Sequence, residues 1–299
     1  MSNFHKIIIS ISSDIGFNLA KDWLNNGDKV SGTYRTKTDQ CKELEELGAK
    51  LIKCDLSDVK SIDDSIRELT KLQKWDNLVV ATGSQEPIGK FIDSNIEAWS
   101  NSINVNFISQ MRFIHGLLPN RNLDDASSPS VLMFAGGGTN NATQDYSAYT
   151  ISKIASIKMV ELFDTEITDT SFSILGPGWV KTKLHDSTIQ SKDAAGSNYF
   201  KTIEMLEADG KKCYPMEKVI DCCNWILSSD RELVGGRNFS SVFDPWESDD
   251  IEKIKDNPNN FKLRRFGNEI FNNPDVEGDL FGEWEMADGE VWVIQLKGK

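Results

Sequence analysis

The feature of this chain that most limits its fold is a regular alternation of short apolar runs with longer amphipathic stretches, sustained over about the first 240 residues. The runs at 5–11, 28–34, 50–54, 76–82, 129–135, 170–175 and 237–242 have strand length, and helical periodicity fits 15–26, 38–47, 58–73, 94–118, 146–167 and 216–228 between them. Continuous apolar strands separated by helices imply a parallel sheet, because each crossover returns the chain to the same end and the helices cover both faces. The expected class is α/β, a Rossmann-like doubly wound parallel sheet forming one domain over residues 1–243. In such a sheet ligands bind outside the carboxyl ends of the strands.

A formal net charge of −13 leaves no basic stripe to displace counterions, which argues against nucleic acid as a general partner. No apolar run is long enough to span a bilayer, and the opening run His5–Ile11 is too short for a signal segment. Five cysteines without CxxC spacing fit neither a disulfide framework nor a zinc site, so a reducing cytoplasm is expected and no metal. Residues 183–215 are polar and follow the sixth strand, which makes them a candidate substrate lid. From Asp244 the composition turns to Asp, Asn, Glu and Trp, so 244–299 reads as an acidic extension whose Trp246, Trp284 and Trp292 imply packing.

Within one helical stretch Tyr149 and Lys153 stand four positions apart and share a face. An ammonium beside a phenol favours the phenolate, lowering a pKa that is ordinarily about 10, so Tyr149 is the candidate general acid or base. A solvated surface pair is the competing reading of that spacing. The setting favours chemistry: an apolar run, Ser130–Ala135, ends in Gly136-Gly137-Gly138 just before the pair.

These residues, with Ser10-Ile11-Ser12-Ser13-Asp14-Ile15-Gly16 after the first strand, make the chain resemble the short-chain dehydrogenase/reductase family. There the turn reads Thr-Gly-x-x-x-Gly-Ile-Gly and lets the backbone approach a pyrophosphate at a helix N-terminus. Aligned on Ile15-Gly16, Ser10 and Asp14 replace two glycines; Ser12 and Ser13 keep donors for phosphate, and Asp14 is expected to cap the helix. The resemblance puts Arg35 at the ribose edge, with Tyr34 where NAD-preferring relatives place a carboxylate, and so implies NADP(H) over NAD(H). An exposed arginine without ligand is the other reading. Asp55 matches the aspartate that receives the adenine amino group, although Asp55-Leu56-Ser57-Asp58 equally suits a turn and helix cap. Gly83 survives from the family's Asn-Asn-Ala-Gly.

Pro177-Gly178-Trp179-Val180-Lys181-Thr182 resembles Pro-Gly-x-x-x-Thr, which implies that Pro177 and Gly178 turn the chain beneath the nicotinamide, with Val180 and Thr182 also cofactor residues. Asn106 matches an asparagine that kinks its helix and connects the lysine to solvent, while a structural asparagine fits the residue equally well. The family's substrate-holding serine, thirteen residues before the tyrosine, is here Gly136, and Thr139 is the first expected substitute.

The resemblance implies hydride transfer between nicotinamide and a ketone or alcohol, with Tyr149 passing the proton and Lys153 holding ribose hydroxyls. The 136–141 and 262–265 segments resemble members found among polysaccharide genes, which implies a sugar or nucleotide-sugar substrate. The worn motifs also fit a catalytically weak dinucleotide sensor or scaffold, or an epimerase or dehydratase. Apolar surface on 94–118 and 146–167 implies a homodimer or homotetramer.

Overall fold

In a computed structural model, which describes residues 4–124, 128–207 and 212–265, the seven apolar runs become seven strands. They are β1 (His5–Ile9), β2 (Lys29–Tyr34), β3 (Lys50–Lys53), β4 (Asn77–Val80), β5 (Ser130–Phe134), β6 (Ser171–Gly176) and β7 (Asn238–Ser240). Their order is β3-β2-β1-β4-β5-β6-β7, and every neighbouring pair is parallel. Strand order reverses between β1 and β4, which opens a crevice above their carboxyl ends. β4 and β5 are buried along their whole length, as helices on both faces require.

The helices are α1 (Asp14–Asn25), α2 (Asp39–Glu46), α3 (Val59–Thr70), α4 (Ile96–Ile103), α5 (Ser109–Leu117), α6 (Ser147–Glu166), α7 (Asp186–Ser191), α8 (Ser197–Glu207), α9 (Met216–Ser228) and α10 (Arg231–Val234). The expected helix 94–118 is broken by a π turn at Asn104–Ile108, between α4 and α5. Such a bulge shifts the helical register, and the fully buried Asn106 lies within it. α1 and α9 lie together on one face, where Trp23 Nε1 donates to Asn224 Oδ1 at 2.8 Å and fills the core with its ring.

The 183–215 stretch contains α7 and α8, which its polar, weakly periodic sequence does not reveal. The compact unit also runs past Asp244 to Lys262. Trp246, Ile251 and Ile254 are buried in the main core, and Trp225 and Phe261 both pack edge-on against Phe239, at 5.4 and 5.5 Å between centroids. Residues 244–262 therefore belong to the main core, although composition alone sets them with the tail. Leu263–Lys299 forms a second unit, and Trp284 and Trp292 lie outside the described residues.

Candidate active site

The turn after β1 leads into the N-terminus of α1, and the segment carries a single glycine, Gly16. Ser10 adopts φ 64, a left-handed conformation that costs an L side chain on the order of 1–3 kcal/mol. It is held there by bonds to β2 and to the loop after β4: its N–H donates to Thr33 Oγ1 at 3.1 Å and its hydroxyl pairs with Thr82 Oγ1 at 2.9 Å. Gly16 cannot be replaced so easily, because a Cβ there would lie 2.8 Å from Ser10 O and 2.8 Å from Ser13 Oγ. The α1 cap is Ser13, which accepts from Gly16 N, and this corrects the expectation that Asp14 caps the helix. Asp14 turns instead across the cleft and accepts from the backbone N–H of Lys183 at 2.7 Å.

A cleft of about 940 Å³ runs along the carboxyl ends of the strands. It is lined at one end by Arg35 and Asp55, in the middle by Ser10, Ser12, Ser13 and Ile15, and at the other by Gly83, Tyr149, Lys153, Pro177 and Thr182. Arg35 is exposed there and makes no hydrogen bond to a described residue. The Asp55 carboxylate accepts from Ser57 N and Ser57 Oγ, at 2.9 and 2.7 Å, and these bonds hold its pKa below the ordinary carboxylate value. Asp55 is thus a turn residue, as one of its two readings had it, while still facing the cleft; the α3 cap is Asp58, which accepts from Lys60 N.

Lys153 is 2 % exposed, and its Nζ donates to Phe134 O at 2.9 Å and Thr82 O at 3.1 Å. These strand-end carbonyls place the ammonium at the cleft floor, 5.7 Å from the centroid of the Tyr149 ring. Burial lowers the Lys153 pKa to about 8 and raises that of Tyr149 to about 12. The latter reverses the expected direction for Tyr149. The ammonium turns toward the two carbonyls, and desolvation of the phenolate is what dominates. At neutral pH the pair is therefore phenol and ammonium, a proton donor beside a fixed positive charge.

Asn106 is fully buried and does not line the cleft. Its Oδ1 accepts from Ser84 N and its Nδ2 donates to Ser84 O, both at 2.8 Å, clamping the loop after β4. Gly178, at φ 74, makes the turn after β6 without lining the cleft, and Val180 is buried in the core with its carbonyl accepting from His185 Nε2 at 2.9 Å. Thr139 sits in the loop before α6 and does not line the cleft. At Gly136 an added Cβ would collide with the Tyr149 ring, so the hydroxyl of the tyrosine occupies the space a serine would need.

Sequence reasoning missed Thr82 and Phe134, whose contribution is a backbone carbonyl that any residue supplies, and it missed Gln85, Ser187 and Ser191 on the cleft wall. The signal for the latter is weak: polar residues in loops that follow strand ends. Among the described residues no cluster of acidic, His or Cys side chains could hold a metal, and no helix is long and apolar enough to cross a membrane.

A sheet with this strand order, a glycine-poor turn after β1 and a Tyr-x-x-x-Lys pair on the cleft floor defines a nicotinamide-dependent oxidoreductase of Rossmann type. A family model described as enoyl-(acyl carrier protein) reductase matches residues 10–240, and the chain belongs to the short-chain dehydrogenase/reductase family. An uncharacterized oxidoreductase of Schizosaccharomyces pombe is 24% identical over 238 residues, covering 77% of this chain and 94% of that protein. A short-chain dehydrogenase/reductase from Saccharomyces cerevisiae superposes with a TM-score of 0.69 at 19% identity, covering 81% of this chain and 97% of that one. An actinorhodin polyketide ketoreductase solved with NADPH superposes with a TM-score of 0.69 at 17% identity, covering 80% and 95%.

Proposed function

We propose that the protein is an NADP(H)-dependent reductase of a small polar ketone, with the reverse oxidation of the alcohol, and that Tyr149 is its proton donor. The observation that carries this reading is the buried Tyr149–Lys153 pair at the end of a cleft whose opposite end holds the exposed Arg35. The cleft residues fit a dinucleotide: Ser12 and Ser13 offer donors beside the α1 N-terminus, and Arg35 suits a 2′-phosphate. Gly83, Pro177 and Thr182 would frame the nicotinamide end and Asp55 the adenine end. Bound there, the nicotinamide supplies the hydride.

The chain's own part is to orient, to exclude water and to move one proton. As hydride reaches the carbonyl carbon, Tyr149 Oη passes its proton to the carbonyl oxygen, and a phenol held well above neutral pKa is charged with that proton at pH 7. Lys153 steadies the phenolate left behind and binds the ribose hydroxyls. Asn106 keeps the β4 loop in place under the reacting end. Residues 183–215 form the lid, tied to the phosphate turn through Asp14. A sugar or nucleotide-sugar ketone is the substrate class, and the compartment is the cytoplasm, in keeping with five free cysteines.

Exposed Ile96, Ile108, Ile151 and Leu162 on α4, the π turn and α6 support assembly into a homodimer or homotetramer. The function is tested by following NADPH absorbance with dihydroxyacetone, L-erythrulose and a 4-keto nucleotide-sugar. Turnover of at least one is the expected result, and none with any of them contradicts the reading.

A further inference from the structure

If the chain reduces a carbonyl, as proposed above, something must polarise the carbonyl oxygen, and position 136 cannot. The Tyr149 ring fills the space beside Gly136, and Thr139 is absent from the cleft wall. On that wall, in the loop after β4, stands Gln85. Its backbone follows directly on Ser84, which Asn106 grips at both N–H and C=O. Its side chain is fixed from behind by the lid. Thr188 Oγ1 on α7 donates to Gln85 Oε1 at 3.0 Å, and Ser187 Oγ stands 3.4 Å from the same oxygen while also reaching Leu184 O at 3.0 Å.

The direction of this network is set by its ends. Thr188 spends its one proton on Gln85 Oε1, an acceptor, so the 2.8 Å bond between Tyr146 Oη and Thr188 Oγ1 must be donated by the tyrosine. Tyr146 and Thr188 are 4 % and 2 % exposed, so the chain from phenol to hydroxyl to amide carbonyl is buried. Hydrogen bonds in series polarise one another, and drawing electron density onto the amide oxygen strengthens the amide N–H as a donor. Nε2 makes no hydrogen bond to a described residue, and Gln85 is half-buried at the cleft. A side chain whose acceptor is anchored, whose donor has no partner among the described residues and which lines the same cleft as Tyr149 and Lys153 is matched to one task.

We propose that Gln85 Nε2 donates the hydrogen bond that holds and polarises the substrate carbonyl oxygen, in place of the serine missing at position 136, and that the chain Tyr146–Thr188–Gln85 makes this donor available only while α7 is packed against the β4 loop. Gln85 is thus a catalytic residue, and Thr188 and Tyr146 are positioning residues. Carbonyl activation and lid closure become one event.

The test uses Gln85→Leu and Gln85→Glu in the full chain, with NADPH and whichever ketone of the panel above wild type reduces fastest. Glutamate keeps oxygen acceptors for Thr188 and Ser187 but has no N–H to give. The expected result is a fall in kcat of about 10²–10³ in both variants, the size found for loss of one oxyanion donor, with NADPH affinity by fluorescence and thermal midpoint kept. If Gln85→Glu retains wild-type kcat, Gln85 only pins the lid and the donor role is overturned, even should Gln85→Leu fail to fold. Loss of NADPH affinity in step with kcat in Gln85→Glu also overturns it. If wild type reduces no ketone of the panel, the proposed function itself falls and this assignment with it.

Discussion

A side chain at Gly136 would begin inside Tyr149: a Cβ there lies 2.7 Å from Oη and 2.7 Å from Cε1. The glycine and the pose of the phenol are therefore one adaptation. Gly136→Ser, which restores the family's residue, is expected to push the ring aside. A displacement near 1 Å costs about 10²-fold in rate, so the variant should reduce ketones more slowly than wild type. Faster turnover in Gly136→Ser would mean that position 136 merely lost its hydroxyl.

The charge on Lys153 sets a pH limit. Burial depresses its pKa from 10.5 to about 8, while Tyr149, raised to about 12, keeps its proton throughout the working range. Reduction needs both groups protonated, so kcat/KM for NADPH should be level below about pH 8 and fall tenfold per pH unit above it. A profile that stays level to about pH 10 would show that the ammonium is not required in the free enzyme.

Arg35 is exposed at the cleft with no hydrogen bond to a described residue, and its guanidinium suits a 2′-phosphate. Arg35→Leu should weaken NADPH by roughly 1.5–3 kcal/mol, about one to two orders of magnitude in Kd, and leave NADH unchanged. Nicotinamide fluorescence titrations with each nucleotide measure both. An equal loss for the two, or tighter NADH binding by wild type, contradicts the assignment.

The strands, the crossover helices and the Tyr149–Lys153 face were legible because they rest on period and spacing, and those follow from backbone geometry alone. What the sequence hid is of three kinds. α7 and α8 are short and polar, and are stabilised by contacts such as Thr188 with Tyr146 rather than by an apolar stripe. The boundary at Asp244 followed composition, whereas Trp246, Ile251 and Ile254 are placed by burial against residues far away in the chain. The direction of the Tyr149 pKa depends on which way one ammonium turns, toward Thr82 O and Phe134 O, and spacing on a helix carries no information about that.

Removal of one oxygen atom tests the whole account. Tyr149→Phe keeps the ring that packs on Gly136 and takes away the proton, so NADPH should bind as it does to wild type, while ketone reduction falls by about 10²–10⁴, the contribution of a positioned general acid. Wild-type turnover in Tyr149→Phe would contradict the claim that this phenol carries the chemistry.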